Sequence, residues 1–411
     1  MHILLVADGR SPTTRGWIRG LVALQHQVTL VSTYPCLAVP DVYKQFTVPV
    51  ALGALAGSQA SAKGRAGSGA GGLKKLLGRA RGLALALRYW LGPLTLPFYA
   101  PHLHEIIERT QPDLVHALRV PFEGMLAMMA QPSIPLVVSI WGNDLTLHAY
   151  GSRVMRRLTA QTLRRANGLL ADAGRDLRLG QEWGFCPERP MMVLPGAGGI
   201  DLTEMYHIRS QASLGLEAVL PVSLAGPDRP PIVVNPRGFR PGSVRADTFF
   251  EAIPMVHERD NRVVFVCTGM AGQPDALHYV QHWDLRENVV LTPFLPQAQL
   301  WSLFQKADVM LSVSAHDGTP NSLLEAMACG CFPVAGDIES LREWITPGVN
   351  GLLVEPNKPQ SVAEAVLTAL DRPDLRTSAA EINLGNIRKR AETGFVRSQM
   401  EVFYRRVMGN G

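Results

Sequence analysis

The 411 residues are 46% hydrophobic and 18% charged, which excludes a disordered or disulfide-stapled chain and fits a globular protein with a large core. That length is too great for one ordinary core and suits two α/β domains of roughly 200 residues each. The net charge of +5 is local: no acid falls between Asp41 and Glu105, whereas Lys44, Lys63, Arg65, Lys74, Lys75, Arg79, Arg81 and Arg88 do, a patch suited to an anionic surface or ligand and not a field spread for nucleic acid.

In chain order, His2–Ala7 is an apolar run that meets Asp8 at once. It lacks the positive flank and long apolar centre of a leader and predicts a first buried strand. Further strands are predicted at Gln27–Ser32, Leu114–Ala117, residues 136–141 and Gly168–Ala171, with helices at 14–24, 99–109, 123–129 and 153–166. Such alternation predicts a parallel, doubly wound sheet with right-handed crossovers. Residues 52–72 are rich in Gly, Ala and Ser and read as a mobile loop. From 73 to 81 the pattern becomes that of a basic amphipathic helix. The stretch 63–88 therefore suits either peripheral contact with anionic lipid or a solvated helix flanking a binding cleft. Residues 89–104 carry little charge, but Pro93, Pro97 and Pro101 interrupt them and the run is short for a bilayer, so no transmembrane helix is expected.

A second α/β series is predicted from strands at 231–234, 262–267, 288–291, 309–313 and 332–335, with helices after Pro359. The expected organisation is a first domain over 1–205, a connection over 206–230 and a second domain over 231–392. A helix at about 393–411 would pack back on the first. Two Rossmann-like units of this kind would face a central cleft. Five cysteines, Cys36, Cys186, Cys267, Cys329 and Cys331, are scattered with no Cys-x-x-Cys pair. They fit reduced thiols of a cytoplasmic protein, and no metal site is assigned.

The most informative segment is Asp317-Gly318-Thr319-Pro320-Asn321-Ser322-Leu323-Leu324-Glu325, followed by Ala326-Met327-Ala328-Cys329-Gly330. A helix beginning near Asn321 presents free backbone N–H groups and the positive end of its dipole, which suits a diphosphate. Glu325 lies about one turn inside, where a fixed carboxylate can accept two ribose hydroxyls. Earlier, Val233-Val234-Asn235-Pro236-Arg237-Gly238-Phe239-Arg240 is a strand running into a basic loop that continues to Arg245, and strand ends of α/β folds are where ligands bind.

Two acids separated by seven residues, then Ala-Met-Ala-x-Gly with Pro333-Val334 beyond and Gly348-Val349-Asn350-Gly351 after that, resemble the E-x7-E motif of the retaining GT-B glycosyltransferases of glycosyltransferase family 4. The first acid departs from the family in being Asp317. The resemblance implies the GT-B fold, transfer of a sugar from a nucleotide-sugar with retention at the anomeric carbon, and no cofactor or metal ion. Arg237 and Arg245 would hold the donor diphosphate, with Arg240 an alternate for either. Asp317 would act at the catalytic site, and Gly318, Thr319, Pro320, Asn321, Ser322, Leu323 and Glu325 would bind the donor.

In the first half, Asp8-Gly9-Arg10 stands where the family has a glycine-rich loop. Gly9 would let donor or acceptor approach the backbone, or simply serve a strand-to-helix turn. His116 resembles a cleft histidine of the family, with burial on a strand the alternative and Arg119 and Glu123 as competitors. Trp141-Gly142-Asn143-Asp144 is similar to the family's His-Gly-x-Asp loop, which would place Asn143, Asp144 and Arg119 on the acceptor side. The resemblance implies a UDP-sugar donor, with a GDP-sugar next; the basic patch suggests a saccharide, lipid-linked or other hydroxyl acceptor, and with the cysteines a place in the cytoplasm or on the inner face of the membrane. An epimerase of the same fold and a non-catalytic nucleotide-sugar scaffold are the competing expectations.

Overall fold

The computed structural model describes residues 1–50, 73–210, 216, 228–240 and 242–409. The chain forms two compact units, Met1–Gly199 with Val396–Gly411, and Ile200–Phe395.

The first unit is built on seven parallel strands: β1 (His2–Ala7), β2 (Gln27–Ser32), β3 (Lys44–Thr47), β4 (Leu114–Ala117), β5 (Leu136–Ile140), β6 (Gly168–Ala171) and β7 (Met191–Val193), in the order β3-β2-β1-β4-β5-β6-β7. Both faces of the sheet are covered, which is why its central strands are buried and mostly apolar. Ile3 and Leu5 pack with Trp17 and with Val396, Met400, Phe403 and Tyr404 of the terminal helix Thr393–Val407. Leu4 and Val6 turn the other way, toward Leu96, Leu103, Met155 and Leu163.

The second unit holds six parallel strands, β8 (Ile232–Asn235), β9 (Val264–Cys267), β10 (Val289–Leu291), β11 (Val309–Ser312), β12 (Phe332–Gly336) and β13 (Leu352–Val354), ordered β10-β9-β8-β11-β12-β13. It begins at Ile200, ahead of the expected connection. Leu202, Met205 and Ile208 of the helix Leu202–Ser210 bury themselves in the second core, and the Ile200 amide bonds to the Ala391 carbonyl at 2.7 Å. In each sheet the strand order reverses once, between β1 and β4 and between β8 and β11. Loops leaving the carboxyl ends of these strands diverge there and leave room for a ligand.

One expectation is corrected. The helix foreseen at 99–109 runs from Leu73 to Thr110, straight through Pro93, Pro97 and Pro101. Each proline removes one bond to the carbonyl four residues back, and the carbonyl that Pro93 frees, that of Tyr89, accepts the Ser152 hydroxyl at 2.8 Å. The loop expected at 52–72 lies outside the described residues, as do the side chains of 73–87, so the lipid contact expected over 63–88 falls almost wholly outside them. No helix among the described residues is long and apolar enough to cross a membrane.

Candidate functional site

At the reversal point of the second unit, β8 ends in Asn235, whose Oδ1 accepts the Arg237 amide at 3.0 Å. This side-chain turn aims the Arg237 guanidinium across to the loop after β11, where it forms a short ion pair with Asp317. Asp317 is held by its own surroundings as well. Its Oδ1 accepts the Gly318 amide at 3.1 Å, Ser314 Oγ donates to Oδ2 at 3.3 Å, and Ser340 Oγ donates to its carbonyl at 2.8 Å. A methyl group on Gly336 of β12 would collide with the Ser314 carbonyl, so that glycine keeps the loop seated. Arg237 is buried, yet its Nε has no hydrogen-bond partner among the described residues. An unused charged donor of this kind is well suited to an incoming anion.

Arg240 donates from Nε to the Arg237 carbonyl at 3.2 Å. The positive charge of Arg237 pulls its pKa down to about 10, so Arg240 remains a cation at neutral pH. Arg245 is placed differently. It pairs with Asp247 at 2.7 Å and bonds Asn357, beside a hollow of about 370 Å³ lined by Phe239, Arg240 and Tyr279. Of the three arginines named from sequence, the structure brings Arg237 and Arg240 together with Asp317 and turns Arg245 toward Asp247.

The helix Asn321–Cys329 starts beside this pair with no side-chain cap at Pro320 and ends at the left-handed Gly330. Gly318, Thr319 and Pro320 are buried in the approach to it, and Trp344 Nε1 donates to Thr319 Oγ1 at 3.0 Å. Asn321 and Ser322 stand partly exposed at its first turn, and Leu323 faces the core. Glu325 is 8% exposed. Burial raises its pKa, opposed by Gln297, whose Nε2 donates to Oε1 at 2.9 Å.

In the first unit His116, expected at the catalytic centre, is sealed in the core at 0% exposure. Its Nδ1 lies 2.7 Å from Tyr404 Oη and its Nε2 2.8 Å from Ser139 Oγ, while Trp17 Nε1 donates to the same tyrosine oxygen at 3.0 Å. Burial lowers the His116 pKa to about 3, so the ring is neutral and ties the terminal helix to the sheet. Tyr404→Phe strands two buried groups. It is expected to cost about 2 kcal/mol or more in urea unfolding, with nucleotide binding by the folded fraction unchanged.

Gly9 is also explained by packing, since a Cβ there would come within 2.6 Å of Cys36 Sγ and 3.1 Å of Ser32 Oγ. Asp144 is fully buried and saturated, accepting from Arg119 Nε at 3.1 Å, the Val120 amide at 3.2 Å and the Trp141 amide at 3.3 Å. It fixes Arg119 and leaves Asn143, partly exposed, as the polar side chain of that loop turned outward.

Beside these lie further residues, of which the sequence named Glu123 alone, as a competitor of His116. Phe122 has φ +66°, a conformation that costs about 1–3 kcal/mol in a non-glycine residue. Arg88 sits over its ring at 4.7 Å and over Tyr34 at 5.8 Å, and Arg10 covers Tyr34 at 3.8 Å. Glu123 is buried, accepts from Thr33 Oγ1 at 2.9 Å, and has its pKa raised by burial. For Arg88 the signal in the sequence was the lack of acids around it. Among the described residues no three His, Cys, Asp or Glu side chains gather as a metal site would require.

Residues 8–197 match the model of the glycosyl transferase 4-like domain, and residues 232–372 that of glycosyl transferases group 1. Alpha-D-kanosaminyltransferase of Streptomyces kanamyceticus is 27% identical over 134 residues, 32% of this chain and 35% of that protein. The chain thus spans between 20% and 35% of the length of the curated relatives it matches. Sucrose-phosphate synthase of Thermosynechococcus elongatus superposes over 100% of both chains with a TM-score of 0.72 at 15% identity. HepE of Anabaena, solved in complex with UDP-glucose, does so over 98% of each with 0.68 at 16%. At such identities the likeness is one of fold. Matched over most of its length by these two models together, the chain belongs to the glycosyltransferases that join a glycosyl transferase 4-like domain to a group 1 domain on the GT-B fold.

Proposed function

We propose that the chain is a retaining transferase that moves a sugar from a nucleotide-sugar, foremost a UDP-sugar, to a hydroxyl of a saccharide or lipid-linked acceptor, with no metal ion. The observation that carries this is the grouping of Arg237 and Arg240 beside the uncapped start of Asn321–Cys329. Two fixed cations and a helix N-terminus are what a leaving diphosphate requires. HepE, of the same fold, was solved with UDP-glucose, which supports the uridine donor.

In the proposed reaction the bond from the anomeric carbon to the diphosphate oxygen breaks while the acceptor oxygen bonds on the same face. The acceptor proton passes to the departing phosphate. Arg237, Arg240 and the helix N-terminus stabilise the charge that develops, Glu325 takes the ribose hydroxyls through its carboxylate, and Asp317 holds Arg237 in place. Positioning of the acceptor falls to Asn143 and Arg119 of the first unit.

Purified protein incubated with UDP-, GDP- and ADP-sugars and a panel of acceptors, with and without EDTA, tests this. The expected product is one glycoside with the donor's anomeric configuration, formed equally in EDTA. An inverted product sinks retention, and loss of activity in EDTA sinks metal independence. Epimerised or free sugar without acceptor favours an epimerase, and tight donor binding without turnover a scaffold.

A further inference from the structure

The helix Leu73–Thr110 turns Tyr89, Leu96, Ala100, Leu103 and Ile106 into the core, yet the opposite face of its middle third is apolar too. Trp90, Leu91, Leu94 and Phe98 are exposed, Phe98 to 83%, and Pro97 and Pro101 lie among them in solvent. At 3.6 residues per turn these six form one stripe, about 18 Å long. Beyond it, the outward positions become His102, Glu105, Glu108 and Arg109. A solvent-facing helix that switches from wholly apolar to charged at one residue marks a contact surface.

The neighbouring helix Arg153–Arg165 supplies the charge. Its outer positions Arg153, Arg156, Arg157, Arg164 and Arg165 are exposed, and it contains no acid. A single hydroxyl joins the two helices, since Ser152 Oγ accepts the Met155 amide at 3.1 Å and donates to the Tyr89 carbonyl at 2.8 Å. Both bury their inner faces in the same core, Leu96 and Leu103 from one, Met155 and Leu163 from the other, so both outer faces turn away from the sheet together. Arg156 lies 5.9 Å from the Tyr150 ring centroid and 6.0 Å from that of Trp183. It borders a groove of about 630 Å³ shared with Arg157, Arg164 and Glu182, in which cations outnumber the single acid.

We propose that these two helices form a docking surface for an anionic phospholipid bilayer. The stripe from Trp90 to Pro101 lies in the headgroup–acyl boundary, and the arginines of the second helix receive lipid phosphates. Charge complementarity selects this occupant. Aromatic and aliphatic side chains flanked by arginine are the composition of an interfacial helix, and the stripe is too short to span. The surface lies on described residues downstream of the segment 63–88 and does not rest on the transferase activity.

Flotation of the full chain with vesicles of phosphatidylglycerol and phosphatidylcholine tests it, beside vesicles of phosphatidylcholine alone. The protein is expected to float with the anionic vesicles, less so as salt rises, and bromine-labelled acyl chains are expected to quench a fluorescence component that Trp90→Phe removes. Trp90→Ser with Phe98→Ser should lower the partition coefficient roughly a hundredfold or more, and Arg156→Glu with Arg157→Glu should abolish the preference for phosphatidylglycerol. Both variants should keep the wild-type melting temperature and nucleotide affinity, which separates this outcome from misfolding and from failure of the transferase proposal. Undiminished flotation of the Trp90→Ser, Phe98→Ser variant overturns the proposal. So does absence of flotation, or a wild-type dimer that this variant turns into a monomer, which would mean that a second copy covers the stripe.

Discussion

Arg237→Met is expected to lower kcat/KM by about 10²–10³, the usual loss when a fixed donor to developing charge is removed, and to destabilise the protein without ligand by about 3–5 kcal/mol. The second effect follows from burial. The side chains of Arg237 and Asp317 are only 7% and 10% exposed, so losing one partner strands the charge of the other. Adding Asp317→Asn removes the stranded charge while keeping an acceptor for the Gly318 amide, which Asp317 Oδ1 holds at 3.1 Å. The double variant should therefore regain most of the stability in urea unfolding and none of the turnover. If activity returned with stability, Arg237 would be a structural cation and no ligand of the diphosphate.

For Glu325→Gln we expect opposite changes in affinity and stability. The carboxylate is buried and its pKa is raised, so the folded state binds the proton more tightly than the unfolded one. The contribution of such a group to stability is present in full below its ordinary pKa. It is lost as pH climbs through the raised value, so above that value the buried anion is a cost. Glu325→Gln should melt at a higher temperature than wild type at neutral pH, the two curves converging as pH falls into the carboxylate range. The same variant should bind the nucleoside diphosphate about ten- to a hundredfold more weakly in calorimetry, because charge-assisted bonds to the ribose are lost. Unchanged affinity would remove Glu325 from the donor site. Weaker binding without added stability would mean that Gln297 already repays the burial.

How far the sequence reached follows the physics of exposure. Strands β1, β2, β4, β5 and β6 of the first sheet and β8, β9, β11 and β12 of the second are mostly apolar runs because both their faces are buried, and the sequence alone determined them, along with the edge strand β10. The strands it did not announce, β3, β7 and β13, stand at sheet edges. Lys-Gln-Phe-Thr of β3 is partly open to solvent, so burial never imposed an apolar run there. The string from Asp317 to Glu325 was legible for a similar reason: a loop and an uncapped helix start constrain several residue types at once.

Tertiary structure alone decided what distant residues do to one another. His116 and Tyr404 lie 288 residues apart, and only the packing of the terminal helix on β4 shows that the histidine is buried as a tie between the two. The position of Arg245 in the chain gave no hint that Asp247 and Asn357 would engage it while Arg240 settled beside Arg237. Nor could local rules foresee that a helix would pass through three prolines, because the Tyr89 carbonyl that one of them frees is satisfied by Ser152 of another helix. Local pattern fixes which segments are strands and helices; which side chains meet at the ends of β8 and β11 depends on long-range packing, to which a linear pattern is blind.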